Sequence, residues 1–339
     1  MQRKYLKKEN ILTIPNLLSL IRILLIPFII WLYCAQKAYL CTIIVIALSG
    51  FTDIIDGKIA ILTDTNSGIT PDQAAWYGIY LVAMPVIIDD ETYFENESIF
   101  QEEFFQRLRE GACVSTSQPA PGMLMDCWEG LLERYDEIIY LPMSSGLSGS
   151  CHTAAMLAEE YDGRIHVVDN HRISITLRQS VLEAKHLAGQ GKTGQEIVAY
   201  LEKDGLESSI YVAVNTLEYL KKSGRVTAAG AAVGTILNIK PVLQIQGGKL
   251  DAYRKARGMR PAMQTMIGGL KHDQVGRFAG QKLTIRAAYS GDAEAGAAWQ
   301  AELQKAFPEM TIGLDPLPIS ISCHTGDGAL GVGMMKDIL

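Results

Sequence analysis

The pattern of apolar residues changes near Gly57, and this change limits what the chain can fold into. Before Gly57 the sequence contains two apolar runs, residues 23–34 and 39–51. After it, short apolar segments alternate with amphipathic segments as far as the C-terminus. Alternating strands and helices favour a mostly parallel sheet that is covered by helices. The sequence therefore predicts an α/β body that follows apolar helices of the membrane type.

Apolar periodicity places the strands and helices of this body. Strands are predicted at residues 59–63, 82–88, 137–142, 165–168, 209–214, 242–246 and 283–289. Helices are predicted at residues 102–110, 122–134, 148–160, 177–190, 193–203, 217–222, 261–275, 293–307 and 325–336.

The two N-terminal apolar runs are each shorter than the ~20 residues that cross a bilayer as a helix. Four basic residues lie within the first eight positions, and only Lys37 lies between the runs. Because basic residues stay on the cytoplasmic side, both ends of this hairpin are expected in the cytoplasm. We therefore predict that residues 11–51 contact the membrane, either spanning it or lying on it. They would hold a cytoplasmic body at the inner face of the cell membrane.

Charge and cysteine spacing exclude two classes of function. The net charge of −6 offers no general basic surface for phosphates, so no nucleic-acid partner is expected. The six cysteines show neither C-x-x-C spacing nor zinc-ligand spacing with a histidine. We expect reduced thiols and no metal site.

Three loops rich in glycine and hydroxyl residues lie beside predicted strands or helix starts, at residues 63–70, 114–122 and 141–150. Ligands of α/β sheets bind beyond the carboxyl ends of strands, and helix N-termini attract anions. Two further residues add possible donors: Arg225 follows Gly224, and His324 begins a glycine-rich loop. The sequence therefore predicts an anion site built from hydroxyls and backbone amides. Arg225 can turn toward such a cleft and bind a carboxylate or phosphate, and for His324 a structural role and a ligand-binding role both stay open.

Taken together, these segments resemble the DegV family of fatty-acid-binding proteins, which includes the binding subunits of bacterial fatty-acid kinase. The resemblance runs from about residue 59 to residue 339. It implies a two-domain α/β fold with a ligand tunnel between domains 58–170 and 171–339, the final segment being able to pack back on the first domain. The matching segments are ILTDTNSGIT, YLVAMPVIIDDETY, STSQPAPG, YDEIIYLPMSSGLSGSCHTAAM, IHVVDN, NTLEYLKKSGRV, ILNIKPVLQIQGGKL, KARGMRPA and HTGDGALGVG.

This resemblance also implies a function and a set of site residues. The chain would bind a long-chain fatty acid and present its carboxylate to a separate fatty-acid kinase subunit, without a cofactor, metal or catalytic residue of its own. No P-loop or kinase signature is present in the sequence. The residues expected at the carboxylate are Thr116, Ser117, Ser144, Ser145, Arg225 and His324.

One segment departs from the family pattern. Where the family has a serine and a glycine-rich helix start, this chain has Asn170, Thr176 and Arg178. The departure leaves the ligand-lining role of this segment open, together with the preferred length and saturation of the ligand.

Residues 1–60 resemble a different family, the CDP-alcohol phosphatidyltransferases. Asp53, Asp56, Gly57 and Ala60 match the start of its acidic motif, whose carboxylates hold divalent cations. Ile61 replaces the arginine of that motif, and its later glycine and two aspartates are absent at their spacing. A membrane transferase is therefore the alternative function, and the two carboxylates are expected to be inactive.

A serine hydrolase is a third hypothesis, based on the segment SSGLSGS. The glycines of this segment do not match the G-x-S-x-G nucleophile turn. A triad also needs a histidine and an acid; His324 is a candidate, but no acid is evident in the sequence. N-capping of the following helix by Ser145 or Ser148 is the favoured explanation of these serines, and it is compatible with ligand binding.

Overall fold

The computed structural model describes residues 58–227, 239–246, 248 and 250–339. The predicted N-terminal hairpin, together with Asp53 and Asp56, lies outside the described residues. Within the described ranges, none of the helices combines the length and apolarity needed to cross a bilayer.

The described residues form thirteen strands. These are β1 (Ile59–Asp64), β2 (Tyr80–Val82), β3 (Pro85–Ile88), β4 (Glu91–Phe94), β5 (Val114–Thr116), β6 (Glu137–Leu141), β7 (Ile165–Val167), β8 (Ser208–Ala213), β9 (Ile239–Ile245), β10 (Asp251–Arg257), β11 (Leu283–Tyr289), β12 (Gly313–Pro316) and β13 (Leu330–Lys336).

The same part of the chain forms ten α-helices. These are α1 (Pro71–Tyr77), α2 (Gln101–Arg109), α3 (Pro121–Leu132), α4 (Ser150–Ala158), α5 (Ser174–Gly189), α6 (Gly194–Asp204), α7 (Glu218–Ser223), α8 (Met259–Val275), α9 (Ala293–Ala306) and α10 (Ile319–Thr325).

A four-stranded parallel sheet in the order β2-β1-β6-β7 lies in the N-terminal half of the described chain. Its strands have near-continuous apolar sequences, such as IAIL and IIYL, because both faces of the sheet are covered. Ile61 and Ile139 pack toward α5 and α6, whereas Leu62 and Ile138 pack toward α3 and α4.

A six-stranded mixed sheet in the order β10-β9-β8-β13-β11-β12 lies in the C-terminal half of the described chain. All its neighbouring strands are antiparallel except β11 and β12. Helices α8 and α9 cover one face with a core that includes Met266, Phe278 and Trp299. The opposite face is apolar as well, and Leu147, Ile173 and Ile175 pack against it.

Helix α5 lies between the two sheets. Leu177, Val181 and Ala184 pack against the parallel sheet, while Ile175 belongs to the apolar cluster on the six-stranded sheet. A helix that is buried on several sides is apolar or internally paired around most of its circumference. All of the first eleven residues of α5 are buried except Leu182. Among the polar ones, Gln179 donates to Glu183 within the helix.

A small antiparallel sheet in the order β4-β3-β5 packs against α2 and α10. Helix α10 comes from the C-terminal end of the chain, yet Ile319 and Cys323 share a core with Val86 of β3 and Phe104 of α2. The C-terminal segment thus contributes directly to the N-terminal body.

The predicted helix at residues 325–336 is wrong, because this segment is mostly strand β13. Leu330, Val332 and Met334 point into the core beneath α8 and α9, whereas Gly331 and Gly333 face the other way. This period of two is that of a strand.

Candidate functional site

A cavity of about 340 Å³ lies between the six-stranded sheet, α5 and α10. This volume falls within the roughly 300–1,000 Å³ of ligand pockets. Most of its wall is apolar, with Ile173, Ile210, Val212, Ile245, Leu317 and Ile321 among the lining side chains. Such a wall suits an alkyl chain.

One end of the cavity is polar and brings together three of the residues predicted from sequence. Thr116 is the last residue of β5, and its Oγ1 lies 2.9 Å from Nε2 of His324, in the last turn of α10. Arg225 also lines the cavity and follows Gly224, whose φ of 69° ends α7 in a left-handed turn. The Arg225 guanidinium donates to the carbonyl of Ser223.

The polar end carries an excess of positive charge. Burial, and then the neighbouring Arg225 cation, lower the pKa of His324 to about 4. His324 is therefore neutral near pH 7, and Arg225 is the permanent charge of the site. No carboxylate in the described part of the chain forms an ion pair with Arg225. The arrangement is suited to an anionic group that would contact Thr116, His324 and Arg225.

Glu95 fixes the position of α10. Its buried carboxylate accepts hydrogen bonds from the backbone amides of Ile319 and Ser320, from the Ser320 hydroxyl (2.8 Å) and from the Thr65 hydroxyl (3.0 Å). Burial raises the pKa of Glu95. Because these bonds hold the N-terminal end of α10, they hold His324, one helical turn beyond Ser320, opposite Thr116.

Of the three serines predicted at the site, only Ser117 lines the cavity. Ser144 and Ser145 do not belong to the lining: Ser144 is buried in the turn, where its hydroxyl accepts from the Gly146 amide, and Ser145 is exposed. Ser148 lines the cavity instead, because the turn that begins at Ser144 directs it inward.

The turn that presents Ser148 is held by Asp64. The Asp64 carboxylate is buried and accepts from the amides of Asn66 and Met143, at 3.0 Å each. Burial raises its pKa to about 7. The ends of β1 and β6 are thereby joined below the cavity.

A second cavity of about 410 Å³ adjoins the polar end from outside. Thr116, Arg225 and His324 line both cavities, and Lys222 and Cys113 line only the outer one. The three shared residues therefore lie between the apolar cavity and an outer cavity of mixed polarity, the vestibule, whose lining also includes Glu218.

The described residues form neither a catalytic triad around His324 nor a metal site. Nδ1 of His324 has no hydrogen-bond partner in the described structure, so no acid orients this histidine as a triad requires. The described residues also contain no group of three or more His, Cys, Asp or Glu side chains that could hold a metal ion.

The two sheets, the helices that cover them and the apolar cavity define an α/β fold that encloses a ligand-sized cavity. The model of the DegV family, described as uncharacterised proteins, matches residues 58–337. The chain therefore belongs to the DegV family.

Its relatives agree in sequence and in fold. A DegV domain-containing protein of Deinococcus radiodurans is 32% identical, over 82% of this chain and 98% of the relative. A DegV family protein of Thermus thermophilus, described by its fatty-acid binding, superposes with a TM-score of 0.76 at 32% identity, over 83% of this chain and all of the other. DegV of Bacillus subtilis, described as a fatty-acid-binding protein, gives a TM-score of 0.75 at 25% identity with the same coverage.

A second family model, for the CDP-alcohol phosphatidyltransferases, matches residues 12–83. The described part of this match, residues 58–83, forms β1, α1 and β2 of the parallel sheet. These residues therefore belong to the DegV fold, and the part of the match that carries Asp53 and Asp56 lies outside the described structure.

Proposed function

We propose that this chain binds a long-chain fatty acid, with its alkyl chain in the apolar cavity and its carboxylate at Thr116, Arg225 and His324. The observation that carries the proposal is the combination of an apolar cavity with one polar, positively charged end. Ser117 and Ser148 line the same cavity and would add hydroxyl donors. Relatives that bind fatty acids support the assignment.

Simple energetics support this mode of binding. Each methylene removed from water contributes about 0.8 kcal/mol, so the alkyl chain supplies most of the affinity. The charge-assisted bonds of Arg225 to a carboxylate would fix the direction in which the ligand enters. Binding therefore needs few polar contacts and no catalytic group.

We also propose that the chain is a carrier rather than an enzyme, and that a separate fatty-acid kinase subunit phosphorylates the bound acid. Thr116, Arg225 and His324 line the outer vestibule as well as the cavity, so a carboxylate held by them would face a docked partner. The absence of a P-loop or kinase signature from the sequence is consistent with this division of labour.

Mass spectrometry of the purified full-length chain tests the fatty-acid proposal. An organic extract is expected to contain a long-chain acid in near-equimolar amount, and added ATP alone should leave it unmodified. Addition of a fatty-acid kinase subunit should convert the acid to its acyl phosphate. Protein that is reproducibly empty and does not take up labelled acid would contradict the binding proposal, and phosphorylation by the chain alone would contradict the carrier role.

For the N-terminal segment we propose that residues 11–51 hold the carrier at the inner face of the cell membrane. The family model begins at residue 58, so a chain that starts at Lys58 retains the matched domain. The full-length chain is expected in the membrane fraction and the shortened chain in the soluble fraction. Identical fractionation of the two would contradict the anchor.

A further inference from the structure

The cavity has a defined direction along strand β13. Arg225 follows α7, and α7 follows the carboxyl end of β8, where Ala213 pairs with Leu330 of β13. The polar end of the cavity therefore lies near the beginning of β13. An alkyl chain that starts there would run over Gly331 toward Gly333, which point to the same face about 7 Å apart.

Gly331 and Gly333 differ in what covers them. Gly331 lines the cavity, and a Cβ added there would only meet the Ala288 Cβ at 3.6 Å and the Tyr211 carbonyl at 3.8 Å. A Cβ added at Gly333 would lie 3.0 Å from both Cδ1 of Ile175 and Cγ2 of Thr176. The sheet surface is therefore open at Gly331 and covered at Gly333.

The covering residues belong to the first turn of α5. Ile175 lines the cavity and has only 3% of its surface exposed, and Thr176 is fully buried. The Thr176 hydroxyl donates to the carbonyl of Ile173 at 2.9 Å, which fixes the direction of its Cγ2 methyl toward Gly333. These contacts make the cover part of the packed structure.

The face of the sheet becomes polar beside this cover. Arg286 of β11 pairs in register with Gly333, and its guanidinium forms an ion pair with Asp315 at 2.6 Å. An alkyl chain that passed Gly333 on this side would have to displace or desolvate that pair, which is unfavourable. Over β13 the apolar path therefore ends where Ile175 and Thr176 meet the strand, whereas Ile210 of β8 and Ile245 of β9, which are level with Gly333, still line the cavity.

We propose that Ile175 and Thr176 form the end wall of the cavity and set the maximum length of the acyl chain. This inference rests on the proposed fatty-acid binding. It gives a role to the segment in which the sequence departs from the family pattern: Thr176 packs against Gly333 at the closed end. Arg178 donates to Gln73 and lies near the ion pair of Arg286 and Asp315.

The double substitution Ile175→Ala with Thr176→Ser tests the end wall. Ile175→Ala removes Cγ1, Cγ2 and Cδ1, and Thr176→Ser removes Cγ2, so four carbon atoms are lost, including the two nearest Gly333. The hydroxyl at position 176 keeps its bond to the Ile173 carbonyl. Affinities for saturated acids of twelve to twenty carbons are measured by competition with a fluorescent fatty acid. The longest acid bound well is expected to lengthen by one to three carbons. For acids longer than the wild-type limit, affinity should rise about fourfold per newly buried methylene, equivalent to about 0.8 kcal/mol.

A matched control and a milder variant keep the result interpretable. Ile197→Ala makes a similar deletion in the core between α5 and α6, away from the cavity, and should leave the length profile unchanged. Ile175→Val removes only Cδ1 and should shift the profile in the same direction by a smaller step. If wild-type protein binds no acid, the proposed function fails; if it binds acids and neither variant at Ile175 changes the length profile, the end wall is refuted.

Discussion

Replacing Arg225 with alanine is expected to weaken binding of a long-chain carboxylate by roughly 10- to 100-fold while the protein stays folded. A hydrogen bond to a charged group is worth about 1.5–3 kcal/mol, and each 1.4 kcal/mol is tenfold in affinity. Arg225 is the permanent cation that lines the polar end of the cavity, beside a neutral His324. Displacement of a fluorescent fatty acid measures the change.

Three comparisons make the Arg225 result specific. Lys221→Ala removes an exposed cation from α7 that lines neither cavity, and should bind as wild type. The methyl ester of the same acid lacks the negative charge, so Arg225→Ala should lower its affinity much less. The pKa of His324 should rise in the variant, because one of the two causes that lower it is removed. Equal loss of affinity for acid and ester would show that Arg225 does not recognise the carboxylate.

Replacing Arg172 with alanine is expected to lower the free energy of unfolding by roughly 3–5 kcal/mol, the usual result of removing one partner of a buried ion pair. The Arg172 side chain is fully buried and donates to Asp204 Oδ2 (2.8 Å), to the Ser180 hydroxyl (2.8 Å) and to the carbonyl of Gly205 (3.1 Å). Burial raises the pKa of Asp204, and it raises the pKa of Glu183 to about 7. Without the guanidinium, Asp204 and Glu183 lose the neighbouring positive charge. The carbonyl of Gly205 loses its hydrogen-bond donor.

Urea denaturation at constant pH measures this effect. Lys192→Ala is the control, because it removes an exposed ion pair with Glu196 and should have little effect. Arg172→Met retains much of the side-chain volume but removes the donors, so it separates lost packing from lost hydrogen bonding. A free energy of unfolding for Arg172→Ala close to that of wild type would mean that water or rearranged side chains satisfy the buried acids.

The fold was predictable from sequence where the apolar pattern has one interpretation. Predicted strands at 59–63, 137–142 and 165–168 lie within two residues of β1, β6 and β7 at each end. Their continuous apolar runs can only be buried on both faces of a sheet. The helix predicted at 325–336 was wrong because the glycines of this segment weaken both the helical period of 3.6 residues and the strand period of two. These glycines are Gly326, Gly328, Gly331 and Gly333. The pairing of β13 with β8 and β11 decides the conformation, and these partners are distant in sequence.

The site was predictable only in part. Loop chemistry and family resemblance indicated Thr116, Arg225 and His324, which the structure brings together although Thr116 and His324 are 208 residues apart in sequence. The choice between Ser144 and Ser148 depends on a turn in which the Ser144 carbonyl accepts from the Leu147 and Ser148 amides. A run of alternating serine and glycine does not specify such a turn. The Glu95 contact with α10 joins segments 224 residues apart and has no local signal.

The route of the C-terminal segment has a consequence for biosynthesis. Helix α10 brings His324 to Thr116 and completes the small core formed by β3, β5 and α2. A chain still attached to the ribosome can fold its parallel sheet before this helix is available. It cannot close the polar end of the cavity until α10 has emerged. If the chain binds a fatty acid as proposed, a prematurely terminated product that lacks α10 is expected to bind it less well.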